Sequence, residues 1–356
     1  MAISLDEGPS RSRLPEAPQR RPRAGSPRAR ATGTEALDIG LVNNMPDAAL
    51  EQTERQFIGL LKAAAAERRI RVKLFYVPEI ARAGAARERV QLQYAPIEEL
   101  WHSHLHGLIV TGNEPRTPDL RAEPYWRTLA KIVDWAEMHT RSTIWSCLAA
   151  HAAILHMDGI TRHPLAEKCF GVFDCVRSAE EPVMRGLPAR VAIPHSRWNE
   201  LREQELAAAG YSILTRSDTA GVDMFARQGN SLFVFFQGHP EYEARTLMGE
   251  YRRDVRRFLR GERETYPPLP RDYFDAGTTR RLTELRARAL ADRRETLIEA
   301  FPNCAEETLH ARWRPAAERL MANWLGLLSD TVQTTPSLVM PRESGASSKH
   351  LRRNSI

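Results

Sequence analysis

Short apolar runs alternate with helix-length amphipathic segments along this chain, and two of the runs end in side chains able to do chemistry. Thr143-Ile144-Trp145-Ser146 leads straight into Cys147 and a helical stretch over residues 148–156. Further along, Leu232-Phe233-Val234-Phe235-Phe236 ends in Gln237-Gly238-His239-Pro240-Glu241. A parallel α/β sheet presents its chemistry at the carboxyl ends of its strands, so Cys147 stands where a nucleophile belongs. The first amides of the helix behind it, with their dipole, would stabilise a thiolate and donate to a developing oxyanion. His239 offers a base and Glu241 a carboxylate to orient it.

The other segments set the fold class. Residues 36–42 predict a strand, 43–46 a loop, and 47–66 a helix whose Leu50, Phe57, Leu60 and Leu61 recur at near-helical spacing. Residues 72–77 and 107–112 predict further strands, 125–139 a helix, 221–226 and 232–236 two strands, and 244–259 a helix. Such alternation argues for an α/β fold with a mostly parallel, doubly wound sheet flanked by helices. Between residues 167 and 197 no clear period emerges. Residues 280–300 form a charged helical stretch, and 313–328 a last amphipathic helix. The expected organisation is a basic tail at 1–34, one catalytic domain at 35–330 and a second tail at 331–356. Both tails lack the apolar content to fold and are expected to be disordered.

The net charge of +6 has to be located before it is interpreted. Residues 1–34 carry +4 and residues 333–356 carry +3, which leaves the remainder at −1. A nucleic-acid-binding core would be basic in itself, so no nucleic-acid partner is expected. No apolar run approaches the roughly 20 residues that span a bilayer, and the amino terminus lacks a signal-peptide core, so no membrane association is expected. The four cysteines, Cys147, Cys169, Cys175 and Cys304, form neither a CxxC pair nor a disulfide framework. A reducing, cytoplasmic compartment follows. Zinc is not expected, because neither His163 nor His195 has a partner at ligand spacing.

Several ordered motifs carry a resemblance. Val42-Asn43-Asn44-Met45-Pro46-Asp47, Val110-Thr111-Gly112, Cys147 followed by Glu167-Lys168, Pro194-His195-Ser196-Arg197-Trp198, and Gly238-His239-Pro240-Glu241-Tyr242 with Arg253-Asp254 closely resemble the homoserine O-acyltransferases of the MetA type. The likeness runs over residues 36–259 and resumes at 270–274 and 313–325. It implies a class I glutamine amidotransferase-like fold, a homodimer, and a ping-pong reaction of methionine synthesis. In that reaction an acyl group passes from succinyl-CoA or acetyl-CoA, as co-substrate, to a cysteine and then to the homoserine hydroxyl. No permanently bound cofactor and no metal is implied.

Carried over to matching positions, the resemblance makes Cys147 the nucleophile, His239 the base and Glu241 its orienting carboxylate. Lys168, Ser196, Arg197 and Arg253 become substrate contacts, with Arg253 suited to a bidentate grip on a carboxylate. The oxyanion donors would be the amide of Leu148 and one beside Gly112. Two positions depart from the family pattern. Where members usually continue Ala-Pro and then use Glu for acetyl or Gly for succinyl, this chain has Asn113-Glu114-Pro115-Arg116. Arg116 could pair with the free carboxylate of a succinyl group, which favours succinyl-CoA, or point to solvent. The usual Lys after Met-Pro is Asp47. Homoserine O-succinyltransferase is therefore the main expectation and O-acetyltransferase an alternative. A glutamine amidotransferase-like hydrolase would favour a Gly-x-Cys-x-Gly turn, which Trp145-Ser146-Cys147-Leu148-Ala149 lacks. A non-catalytic regulator of the same fold would have no need of the intact Cys147, His239 and Glu241.

Overall fold

The computed structural model describes residues 3–5, 36–304 and 306–329. Among them the strands are β1 (Ile3–Leu5), β2 (Leu37–Val42), β3 (Ile70–Tyr76), β4 (Ala95–Pro96), β5 (Gly107–Thr111), β6 (Ser142–Ser146), β7 (His163–Arg177), β8 (Arg190–Glu200), β9 (Ser212–Ser217), β10 (Gly221–Gln228) and β11 (Leu232–Phe236). The helices are α1 (Asp47–Ala64), α2 (Gly84–Gln93), α3 (Trp126–His139), α4 (Leu148–Asp158), α5 (Glu203–Ala208), α6 (Thr246–Leu259), α7 (Ala276–Ala291) and α8 (Arg314–Ser329). One sheet holds the strands in the order β1-β3-β2-β5-β6-β11-β10-β9-β7-β8, with β4 beside β3.

From β1 to β11 every neighbour is parallel, and from β11 to β8 every neighbour is antiparallel. The parallel half needs helical crossovers, which cover both faces and bury its central strands. All residues of β5 and β6 are accordingly buried. Successive side chains alternate between two cores. Leu41, Ile109, Ile144 and Val234 face one layer, packed with residues of α1 and α8. Val42, Val110, Trp145 and Phe235 face the other, with residues of α3 and α4. A third core gathers α6, α7 and the segment ending at Trp313 around Phe170, Val172, Tyr251 and Tyr273.

The aperiodic stretch between 167 and 197 belongs to the longest hairpin of the fold, β7 with β8. Its amino-terminal half has no buried residue from 163 to 169 and its register shifts between Pro164 and Cys169, so no two-residue period survives there. Pro194 removes one donor from β8 and reads locally as a loop. Gly171 is required where it stands. Its φ is 138°, and a Cβ there would lie 2.3 Å from the Arg271 nitrogen, because residues 270–272 cross the strand and bond to Phe170 and Val172. The expectation of a wholly disordered first tail needs one correction. Ile3–Leu5 pairs in parallel with Ile70–Val72 and so covers part of the outer edge of β3. The rest of both tail expectations lies outside the described residues.

Candidate active site

β6 and β11 are neighbours in register, Ser146 opposite Phe236, and this brings the two chemical turns side by side. The Cys147 amide donates to the Phe236 carbonyl at 2.7 Å, so the chain must bend sharply to begin α4. Cys147 makes the bend with φ 52° and ψ −111°. A non-glycine residue in that region costs about 1–3 kcal/mol, and such strain gathers at functional turns. The thiol is half-buried at the helix amino terminus. Gly112 packs against the next residue: a Cβ there would lie 2.5 Å from the Leu148 Cβ and 3.0 Å from the Leu148 nitrogen. The two backbones thus meet beside the thiol, at the place expected for oxyanion donors. The Asn43-Asn44 loop fixes this edge. The Asn44 amide donates to Thr111 Oγ1 at 2.9 Å and its side chain to the Thr111 carbonyl at 3.0 Å. Asp47 also finds a local role, accepting from the Ala83 amide at 2.9 Å and pairing with Arg82.

His239 is buried and its Nδ1 lies 2.8 Å from Glu241 Oε1. Its backbone amide donates to the Pro194 carbonyl at 2.8 Å, and its ring stacks on Tyr242 at 4.3 Å between centroids. With Nδ1 engaged by Glu241, Nε2 is left free to serve Cys147, which lies within electrostatic reach of the ring. Burial acts to lower the imidazole pKa, but Glu241 and Cys147 outweigh it and hold the ring well above its usual value. The arrangement favours the imidazolium form of His239 beside Cys147.

A second polar group adjoins the His239 turn. The Tyr242 hydroxyl donates to Glu250 Oε1 at 2.6 Å, and Ser196 donates to Glu250 Oε2. Lys168 Nζ lies 3.7 Å from Glu250 and 3.3 Å from Asp254, above the ring of Phe170. Arg253 Nε donates to Asp254 at 3.0 Å while its side chain stays half-exposed. Burial works to raise the Asp254 pKa, but Lys168 and Arg253 hold it below the usual carboxylate range. Lys168, Ser196 and Arg253 therefore come together around Glu250 and Asp254.

Arg197 does not join them. It is buried, with donors directed to the carbonyls of Asn199 and Ala220 and to His195 Nδ1. Arg116 is exposed, on a loop whose amides at Arg116 and Thr117 donate to buried Glu123 at 2.6 and 2.7 Å. Sequence reading missed Glu250, the carboxylate that joins Tyr242, Ser196 and Lys168. Its signal was present, since positions 250, 253 and 254 share one helix face. Glu123 left no comparable trace.

His151 is not poised as a base. Burial pushes it down to about 3, and its Nε2 meets Gln237 Oε1 at 3.0 Å. Among the described residues, Cys175, His195 and Asp223 form a buried group whose ligand atoms lie within 4.8 Å of one another. His195 Nε2 faces Asp223 Oδ1 at 3.3 Å, and Thr215 donates to Oδ2 at 2.7 Å. Burial pushes the Cys175 thiol up, which opposes the deprotonation a metal would require. The trio fits a packed polar cluster beneath Gly238, where a Cβ would lie 2.6 Å from Asp223 Oδ1.

The sequence model described as homoserine O-succinyltransferase matches residues 23–336. The chain belongs to the homoserine O-succinyltransferase family. A homoserine O-succinyltransferase of Rhodopseudomonas palustris is 50% identical over 297 residues, covering 83% of this chain and 89% of its own. One from Bradyrhizobium japonicum is 48% identical over 316 residues, covering 88% and 96%. Among solved structures, a glutamine amidotransferase of Methylobacillus flagellatus aligns with 15% identity and a TM-score of 0.46, over 83% of this chain and 96% of that one. The chain is therefore an acyltransferase of this family. No helix among the described residues is long and apolar enough to cross a membrane.

Proposed function

We propose that the protein transfers a succinyl group from succinyl-CoA to the hydroxyl of L-homoserine through a thioester on Cys147. Cys147 Sγ attacks the thioester carbonyl carbon. The oxyanion forms against the backbone of Leu148 and Gly112, and the C–S bond to coenzyme A breaks with the His239 proton passing to the leaving sulfur. Homoserine then enters, His239 Nε2 takes its hydroxyl proton, the oxygen attacks the acyl-enzyme, and Cys147 leaves as thiolate. Glu241 holds the ring and offsets its charge throughout. The first exchange, thioester for thioester, is nearly balanced and the second, thioester for oxygen ester, runs downhill, so the enzyme's contribution is positioning and oxyanion stabilisation.

The cluster of Lys168, Ser196, Glu250, Arg253 and Asp254 suits an amino acid bearing both charges. Asp254 and Glu250 can meet the ammonium, and the half-exposed Arg253 can meet the carboxylate. The reading includes a cytoplasmic homodimer, whose oligomeric state light scattering would check. The observation that carries the proposal is the buried His239–Glu241 pair, 2.8 Å apart, at the turn beside Cys147 in a chain of this family. Initial rates of coenzyme A release with both substrates varied should give parallel double-reciprocal lines and O-succinylhomoserine by mass. Intersecting lines would contradict the acyl-enzyme, and a faster reaction with acetyl-CoA would move the assignment to the acetyl donor.

A further inference from the structure

Arg162 combines features that the proposed chemistry has not yet used. The segment joining α4 to β7 turns at Gly159, φ 71°, and carries Arg162 back to the carboxyl edge of the sheet. Its Nη2 donates to the carbonyls of Pro118 at 3.2 Å and Thr117 at 3.4 Å, in the loop that follows Gly112. Cys147, Tyr125 and Glu123 all lie within electrostatic reach of the guanidinium. It is half-buried, and among the described residues no carboxylate forms a salt bridge with it. The nearby carboxylate, Glu123, is occupied: its Oε1 accepts from the amides of Arg116 and Thr117 and from Thr117 Oγ1. The Tyr125 hydroxyl is buried in the same quarter with no hydrogen-bond partner.

A partly desolvated cation and an orphaned hydroxyl beside a nucleophile lack an anion. An acetyl group would supply none, whereas a succinyl group on Cys147 carries a free carboxylate a few bonds beyond the reacting carbonyl. We propose that Arg162, with the Tyr125 hydroxyl, receives the free carboxylate of the acyl group and so selects a dicarboxylic acyl donor. This rests on the acyltransferase reading above and moves the selecting role from exposed Arg116 to Arg162.

The test compares kcat/KM for succinyl-CoA with that for butyryl-CoA, which has the same chain length without the carboxylate, in wild type, Arg162→Met, Arg162→Lys and Arg116→Ala. The wild-type ratio should favour succinyl-CoA. It should fall about 10–100-fold in Arg162→Met, less in Arg162→Lys, and by under threefold in Arg116→Ala, as expected for a charge-assisted bidentate contact. An unchanged ratio in Arg162→Met would overturn the proposal, and so would a rise in KM for homoserine with the donor ratio intact. If Arg162→Met fails to fold, the wild-type comparison still decides, because equal use of butyryl- and succinyl-CoA would also overturn it. Failure of the acyltransferase reading itself would appear differently, as no acyl transfer by the wild type from any donor.

Discussion

Gly112→Ala probes the oxyanion assignment with the smallest possible change. The added methyl carbon would sit 2.5 Å from the Leu148 Cβ and 3.0 Å from its nitrogen. Carbon atoms rest at about 3.5–4.0 Å, so the loop and the first turn of α4 must separate by more than about 1 Å. Neither partner is a flexible side-chain end, because the contact is with the Leu148 backbone and Cβ. Loss of one oxyanion donor costs about 10²–10³ in rate, and a misplacement of about 1 Å near 10². The expected fall in the acylation rate is therefore about 10²–10³-fold, roughly 3–4 kcal/mol of transition-state stabilisation. Overpacking should cost about 1–3 kcal/mol of stability, a melting shift of some degrees in a domain of this size. The assay is stopped-flow release of coenzyme A before homoserine is added, alongside a thermal melt. A variant that acylates within about threefold of wild type would refute the placement of the oxyanion at Gly112 and Leu148.

Other perturbations follow from the same contacts. Burial lowers the His239 pKa, while Glu241 and Cys147 raise it further, so the folded value lies above the usual 6.5. This contribution to stability is full below about pH 6.5 and is lost as pH rises through the folded value, so Glu241→Gln should lower the melting temperature more at pH 6 than at pH 9. The same variant should move the alkaline limb of kcat/KM to lower pH, whereas an unmoved limb would remove Glu241 from the triad. Arg253→Ala should raise KM for homoserine about 10–100-fold with a small change in the acylation rate, measured by varying each substrate. Lys168→Ala should do the same and also destabilise by about 1–3 kcal/mol in denaturant melts, because Glu250 loses its lysine while Asp254 keeps Arg253 and Arg263. Trp313→Phe removes the 2.8 Å hydrogen bond to the Tyr242 carbonyl and should cost about 1 kcal/mol, read as a lower urea midpoint.

The parallel half of the sheet was legible because fully buried strands are continuous apolar runs, as in Leu232–Phe236, and their crossover helices repeat with a clear period. The β7–β8 hairpin was not, since what fixes it is distant. Residues 270–272 bond across Gly171, and the His239 amide bonds to the carbonyl of Pro194. The site divides in the same way. Cys147, His239 and Glu241 announce themselves at strand ends, and the structure joins them. Glu250 and Arg162 are placed by partners far away in sequence, and composition cannot reveal that, among the described residues, no carboxylate forms a salt bridge with Arg162. Arg197 illustrates the converse. Its motif suggested a substrate contact, while its donors serve the carbonyls of Asn199 and Ala220.

The Cys147 thioester is the claim on which the rest depends, and intact-protein mass tests it directly. Mixing the protein with succinyl-CoA alone should add one succinyl group, the adduct should be absent in Cys147→Ala, and homoserine should discharge it. An adduct that persists in Cys147→Ala, or turnover to O-succinylhomoserine by that variant at the wild-type rate, would contradict the account.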